Sequence, residues 1–141
     1  MQKIYKIMGK IKTENRRLTA ARVGILKALM QAEDKPLSDK DLKKWLRKNH
    51  IRVDRTTVWR QLKYLISKNY ISRFQLESGK VYYELAGEHH HHLICIRCKK
   101  IANIQLDSVE KDLAAVDKDK NFRVLGHTLE LYGLCRACAR H

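Results

Sequence analysis

The chain is poor in residues that break structure: 141 residues contain one proline, Pro36, and six glycines. Without a Pro-, Gly- or Ser-rich stretch it carries no flexible linker and no low-complexity tail. No repeat of fixed period is present, which excludes solenoids and propellers. No apolar run approaches the roughly 20 residues that cross a bilayer. Residues Met1 to Arg17 mix Lys with Ile, Tyr and Met, and lack the continuous apolar core and cleavage site of a secretory signal. We therefore expect a cytoplasmic protein with no membrane partner. Acidic residues are scarce too: 15 Asp and Glu stand against 30 Lys and Arg, for a net charge of +15.

That excess is unevenly placed. Residues 1–86 hold 21 Lys and Arg against 8 Asp and Glu, a net of +13, while residues 87–141 hold 9 against 7, a net of +2. A basic part beside a near-neutral part points to a polyanionic partner, nucleic acid first. All four cysteines and the run His89–His92 lie in the near-neutral part. Charge and metal-type chemistry are thus segregated, as in a two-part sensor with domains at 1–86 and 87–141.

The basic part reads as three helices and a hairpin. Thr19 can cap a helix to about Met30, with Val23, Leu26 and Met30 on one stripe. After a loop through Asp34-Lys35-Pro36, Ser38 and Asp41 form a capping-box variant ahead of Leu42, Trp45 and Leu46. Asp54 or Thr56 opens a third helix carrying Val58, Leu62 and Leu65, and Asn69 ends it. Tyr70–Leu76 and Val81–Leu85 flank Ser78-Gly79, a hairpin signal. This is the order of a winged helix-turn-helix. Beyond Gly87, strands at His92–Ile96 and Ile101–Leu106 are predicted. A helix capped by Asp107 or Ser108 would face Val109, Leu113 and Val116 inward, and a long strand would run from Phe122 to Leu134. The fold class is α+β, and the second domain is small enough to need a staple or a partner subunit.

Cys95-Ile-Arg-Cys98 and Cys135-Arg-Ala-Cys138 are two CxxC pairs that use every cysteine. Each pair can turn two thiolates to one point, and together they make a closed four-thiolate zinc site. Such a site staples a fold and has no open position for catalysis. Arg97, Lys99 and Arg136 would offset its charge. Disulfides do not suit a reducing compartment. A redox pair is disfavoured because neither pair leads from a strand into a helix within a βαβ pattern.

In an extended run, His89 and His91 point one way and His90 and His92 the other. Each face offers two imidazoles to a different metal. Glu84, Glu110 and His127 are the groups that can complete these sites. Nitrogen and oxygen donors suit Fe2+, Mn2+, Zn2+ or Ni2+ alike.

Several segments together resemble the ferric uptake regulator family. Thr56-Thr57-Val58-Trp59-Arg60-Gln61-Leu62 is similar to its recognition helix. Tyr82-Tyr83-Glu84-Leu85 and His89-His90-His91-His92-Leu93-Ile94-Cys95-Ile96-Arg97-Cys98 are similar to its hinge and metal-binding segment. His127-Thr128-Leu129-Glu130-Leu131-Tyr132-Gly133-Leu134-Cys135 is similar to its ending, and Leu18-Thr19-Ala20-Ala21-Arg22 to its first-helix start. The resemblance implies a homodimer, or a higher oligomer, that binds a palindromic double-stranded DNA operator and represses when metal is bound. It implies structural zinc at Cys95, Cys98, Cys135 and Cys138. It implies a regulatory hinge site at Glu84, His90 and His92, and a further site at His89, His91, Glu110 and His127.

There are departures. Pro36 stands where the family's hinge site takes a further histidine, Asn103 stands where an acidic ligand is common, and Trp59 replaces a tyrosine. Arg60 and Trp59 are the candidates for base contacts, Thr57 and Gln61 are secondary, and Arg17 and Arg22 are candidates for phosphate or the minor groove. The alternatives are a constitutive zinc-stapled DNA binder and a peroxide sensor of the same family. The zinc-enzyme signatures His-x-Glu with Pro-Cys-x-x-Cys and His-Glu-x-x-His do not occur. An enzyme is not expected.

Overall fold

Apolar residues recurring at helical spacing build the first half of the molecule, and short alternating runs build the sheets. The computed structural model, which describes residues 2–33, 35–120 and 122–140, divides into two compact units, Met1–Gly87 and Glu88–His141. Asp34, in the loop expected from sequence, lies outside the described residues. The first unit contains α1 (Gln2–Thr13), α2 (Ala20–Gln31), α3 (Asp39–Lys48) and α4 (Arg55–Ser67). Its sheet has the order β1-β3-β2, from β1 (Leu37–Ser38), β2 (Ile71–Gln75) and β3 (Val81–Leu85).

The helix starts follow the sequence. Thr19 Oγ1 accepts from the Arg22 N–H at 3.2 Å. Ser38 and Asp41 cap α3 reciprocally. Asp54 Oδ1 accepts from the Thr57 N–H at 2.7 Å. The helix ends solve a problem set by the shortage of glycine, the usual residue for a left-handed stop. Asn15, Glu33, His50 and Asn69 take that conformation instead, with φ between 54° and 57°. At the end of α4 the Asn69 N–H reaches the Ile66 carbonyl and the Tyr70 N–H the Leu65 carbonyl, each at 2.9 Å. Gly79, with φ of 77°, makes the hairpin turn between β2 and β3. Gly24 serves packing: a Cβ there would meet Leu46 Cδ2 at 2.6 Å and Ile51 Cδ1 at 2.7 Å.

One apolar core joins these elements. Ile25, Leu26 and Leu29 of α2 meet Leu42 and Leu46 of α3 and Val58, Leu62 and Leu65 of α4. Helix α1, which the sequence reading left unassigned, adds Ile4, Ile7 and Ile11. Its end is tied to α4 through Glu14, whose carboxylate accepts from the Tyr64 and Tyr70 hydroxyls at 3.1 Å and pairs with Lys68 at 3.1 Å.

The second unit is built differently. It holds β4 (His91–Cys95), β5 (Ile101–Ile104), α5 (Asp107–Asp119), β6 (Glu130–Gly133) and α6 (Arg136–Ala139), with sheet order β5-β4-β6. Strand β4 is antiparallel to β5 and parallel to β6. Three expectations are corrected here. The strand expected over Phe122–Leu134 shrinks to Glu130–Gly133, because β4 offers a ladder only to those residues; Phe122 and Leu125 are 65% and 87% exposed. Helix α5 starts after Leu106 with no side-chain cap, and Asp107 and Glu110 instead set negative charge in its first turn. Val116 is exposed rather than inward, while Val109 and Leu113 are half-buried. Strand β1 and helix α6 were not expected.

Ile11 is fully buried. We expect Ile11→Ala to lower the unfolding free energy by about 2–5 kcal/mol in urea denaturation. A loss under about 1 kcal/mol would show that α1 does not belong to this core.

Candidate metal centres and nucleic-acid interface

The two CxxC pairs sit where strands end. Cys95 closes β4, and the chain turns back through Lys99, whose φ of 62° and whose N–H to the Cys95 carbonyl at 2.9 Å tighten the knuckle. Cys135 precedes α6 and Cys138 lies within it; this pair follows β6 into a four-residue helical turn, but no strand follows α6, so no βαβ unit is formed. The four sulfurs lie within 4.8 Å of one another, and all four thiols are free of disulfides. Cys98 Sγ and Cys135 Sγ are 3.7 Å apart. A tetrahedral zinc with bonds of about 2.3 Å needs sulfurs about 3.8 Å apart, so the spacing fits.

The backbone also prepares the cluster. The N–H groups of Cys135 and Cys98 aim at Cys95 Sγ and lower its thiol to about 6. The Cys138 N–H lowers Cys135. Cys138 is pushed up to about 12 by the hydrogen bond it shares with Cys135. Sulfurs this close share protons rather than ionising together, and a central dication removes that conflict. Arg97 donates to the Cys138 carbonyl at 2.9 Å, which ties the two knuckles together.

A second cluster uses alternate histidines of the run that leads into β4. Nε2 of His89 and His91 each lie 3.1 Å from Glu110 Oε1, and His127 Nε2 lies at 3.2 Å. His89 Nε2 and His127 Nε2 are 3.1 Å apart. Metal bonds of about 2.0–2.2 Å place neighbouring donors about 3.0–3.5 Å apart, so three nitrogens and one oxygen fit a first-row dication. His91 is 2% exposed. His127 comes from the irregular segment before β6, not from mid-strand.

His90 and His92 face the other way, with ring centroids 5.1 Å apart. His90 Nδ1 lies 2.9 Å from the Glu88 carbonyl, which can only accept, so Nε2 keeps its lone pair for a cation. Asn103 is the cross-strand partner of His92, and directly opposed residues share a face. Its Oδ1 is buried without a hydrogen-bond partner among the described residues. An unpaired buried acceptor beside imidazoles is a donor suited to a cation. Glu84 belongs to the other unit, on β3, where it accepts from Ser72 Oγ at 3.1 Å. Pro36 is buried ahead of β1 and brings no donor side chain.

The sequence candidates for DNA contact separate into two groups. Trp59 is 55% exposed on α4, with the Lys63 ammonium 4.3 Å from its ring centroid. Arg60 and Arg17 are also exposed. Arg22 is turned inward and 7% exposed. It donates to Gln61 Oε1 and to the Arg17 carbonyl, each at 2.8 Å, and its guanidinium lies 4.0 Å from the Tyr64 ring centroid. Its work is to fasten α2 to α4, and charge in the sequence could not distinguish that from a surface role. Thr57 Oγ1 donates to Asp54 Oδ2 at 2.7 Å and so serves the helix cap.

A winged helix with an aromatic and basic outer face, followed by a unit that gathers thiols and imidazoles into separate clusters, defines a metal-ligating winged-helix protein. Residues 13–132 match the Ferric uptake regulator family, and the chain belongs to it. It is 30% identical over 129 residues to the ferric uptake regulation protein of Legionella pneumophila, covering 91% of this chain and 95% of that one. It is 32% identical over 126 residues to that of Shigella flexneri, covering 89% and 85%. The solved structure of the Francisella tularensis ferric uptake regulator with iron has a TM-score of 0.77 at 31% identity, covering 87% of this chain and 94% of that one. A zinc uptake regulator complexed with zinc and DNA has a TM-score of 0.71 at 25% identity, covering 97% and 93%. The family fold, an N-terminal winged helix followed by a small dimerisation domain, is the fold of this chain.

Removing Glu110 takes away the group shared by three histidines. We expect Glu110→Ala and His91→Ala each to weaken one divalent-metal site at least tenfold, about 1.4 kcal/mol, in calorimetric titration with Zn2+ or Mn2+. Metal held by the four cysteines should stay. Unchanged titrations would show that the cluster is a hydrogen-bond network only.

Proposed function

We propose that this member of a metal-responsive regulator family is a homodimeric repressor that binds palindromic operators when a divalent metal occupies its nitrogen and oxygen sites. The observation that carries the reading is the split of one histidine run onto two faces, His89 and His91 beside Glu110 and His127, with His90 and His92 opposite, apart from the four thiols. A protein that needed metal only as a staple would not require the other two. Cys95, Cys98, Cys135 and Cys138 would hold structural zinc. His89, His91, Glu110 and His127 would hold a second dication. Glu84, His90 and His92 would hold the regulatory one, with Asn103 supplying a neutral oxygen. Bound metal supplies positive charge that fixes the orientation of these side chains. Coupling follows if the DNA-competent arrangement binds metal better, by about 1–3 kcal/mol for ordinary allostery.

The dimer is supported by surface chemistry. Leu93, Ile96, Leu131, Tyr132 and Leu134 are large apolar side chains of the second unit that remain 38–53% exposed. Leu93 pairs with both Ala102 and Leu131, so these three form one stripe across the sheet. Contiguous exposed apolar area of this kind favours association. For DNA, α4 presents Trp59 to a thymine methyl and Arg60 to guanine or phosphate, with Arg17 on the backbone. A second reading, a constitutive zinc-stapled regulator, is favoured by the buried, donor-less Pro36.

The test is fluorescence anisotropy on a palindromic duplex selected from random DNA. The protein keeps its tightly held zinc and is titrated with Fe2+, Mn2+, Zn2+ and Ni2+. We expect one metal to raise affinity about tenfold or more, 1.4 kcal/mol. Replacing Glu84 and His92 by Ala should abolish that rise and leave the metal-free affinity unchanged. High affinity that no metal alters would establish the constitutive reading instead.

A further inference from the structure

A solvent-open cavity of about 630 Å³ lies in the first unit where α3 turns into α4. Lys43 and Arg47 line it from α3, His50 and Arg52 from the turn, and Arg55 from the first position of α4. Its floor is apolar and reaches the buried Val58. No acidic side chain lines it. The acids nearest in sequence are already occupied. Asp39 pairs with Lys43, and Asp54 caps α4 by accepting from the Thr57 N–H and hydroxyl. Arg47, Arg52 and Arg55 are exposed, and none forms an ion pair with a described residue.

The frame that carries these charges is fixed. His50 stops α3 with φ of 57°, its N–H bonds the Arg47 carbonyl at 3.1 Å, and the Ile51 N–H bonds the Leu46 carbonyl at 2.9 Å. Three guanidiniums around one cavity repel each other, and the core does not use them. Water and salt screen that repulsion in part, and an anionic ligand bridging the guanidiniums would relieve it further.

We propose that this cavity is a phosphate clamp for DNA, holding the backbone that borders the groove entered by α4. The proposal rests on the DNA-binding reading above. In a helix-turn-helix the N-terminal residues of the second helix meet base edges while the preceding helix crosses the backbone. Arg52 and Arg55 stand at that N-terminus, and Lys43 and Arg47 stand on the preceding helix. The guanidinium fork matches phosphate oxygens in pairs. Such contacts set position and affinity without reading sequence. The clamp therefore adds a sequence-independent share to the contacts of Trp59 and Arg60.

The test compares the salt dependence of binding to the selected duplex and to a scrambled duplex of equal length. Each phosphate contact contributes about −0.9 to the slope of log K against log salt. Arg52→Ala and Arg55→Ala should each flatten the slope by up to about 0.9 and weaken both duplexes by the same factor. Arg52→Lys should keep the slope near wild type, since it keeps the charge. Arg52→Gln, which keeps most of the side-chain bulk, should behave as Arg52→Ala, and thermal midpoints should match wild type throughout. Unchanged slopes in folded variants, or weakening on the selected duplex alone, would overturn the clamp and leave the DNA-binding reading standing. A wild-type protein that binds neither duplex would overturn both.

Discussion

The second unit depends on the convergence of four sulfurs. Among its described buried hydrophobic residues are only Ile94, Cys95 and Ile101. That is too little apolar burial to hold three short strands and two helices against chain entropy. A metal tied to Cys95 and Cys98 at one end of β4, and to Cys135 and Cys138 after β6, closes the chain across the parallel β4–β6 pair. In small zinc-held domains the metal supplies roughly 10–16 kcal/mol of folding free energy, enough to replace a missing core. The strand so fixed is the one that carries His91 and His92, so the staple also positions the other donor sets.

The first unit inverts this arrangement. Its core is apolar and continuous from α1 to the hairpin, and its polar interactions are fasteners: Arg22 between α2 and Gln61, and Glu14 between α1 and α4. A self-sufficient core frees the outer surface of α4 and the α3–α4 turn to carry uncompensated positive charge. The division of labour along the chain thus follows from where each part finds its stability. One part folds on apolar burial and spends its surface on a polyanion. The other folds on donor atoms and can respond to their occupancy.

What was legible in the sequence was local. Capping residues Thr19, Ser38 and Asp54 act within one turn, and each cysteine pair spans one knuckle, so their chemistry shows in adjacent residues. The alternation of His89 to His92 also follows from strand geometry alone. What needed the fold was distant or depended on a partner. Glu110 lies 19 positions from His91; the residues alone offered it as one of three groups that could complete a histidine site, and the family resemblance assigned it to His89 and His91. The run Leu125, His127, Leu129, Leu131 alternates like a strand, yet most of it has no ladder to join, and an unpaired alternation is not a strand. Arg22 carried the same charge signal as Arg52, but one is buried against Gln61 and the other lines an open cavity. Helix α1 was readable from Ile4, Ile7 and Ile11, whose spacing of three and four residues is helical.

The measurement that tests the account most directly is amide hydrogen exchange on the full chain, followed by mass spectrometry, before and after a strong chelator strips the thiolate-held metal. Peptides from β4, β5 and β6 should lose protection together, while those from α2, α4 and β2 keep theirs. Retained protection in the second unit after metal removal would contradict the claim that sulfur convergence, rather than apolar packing, holds it.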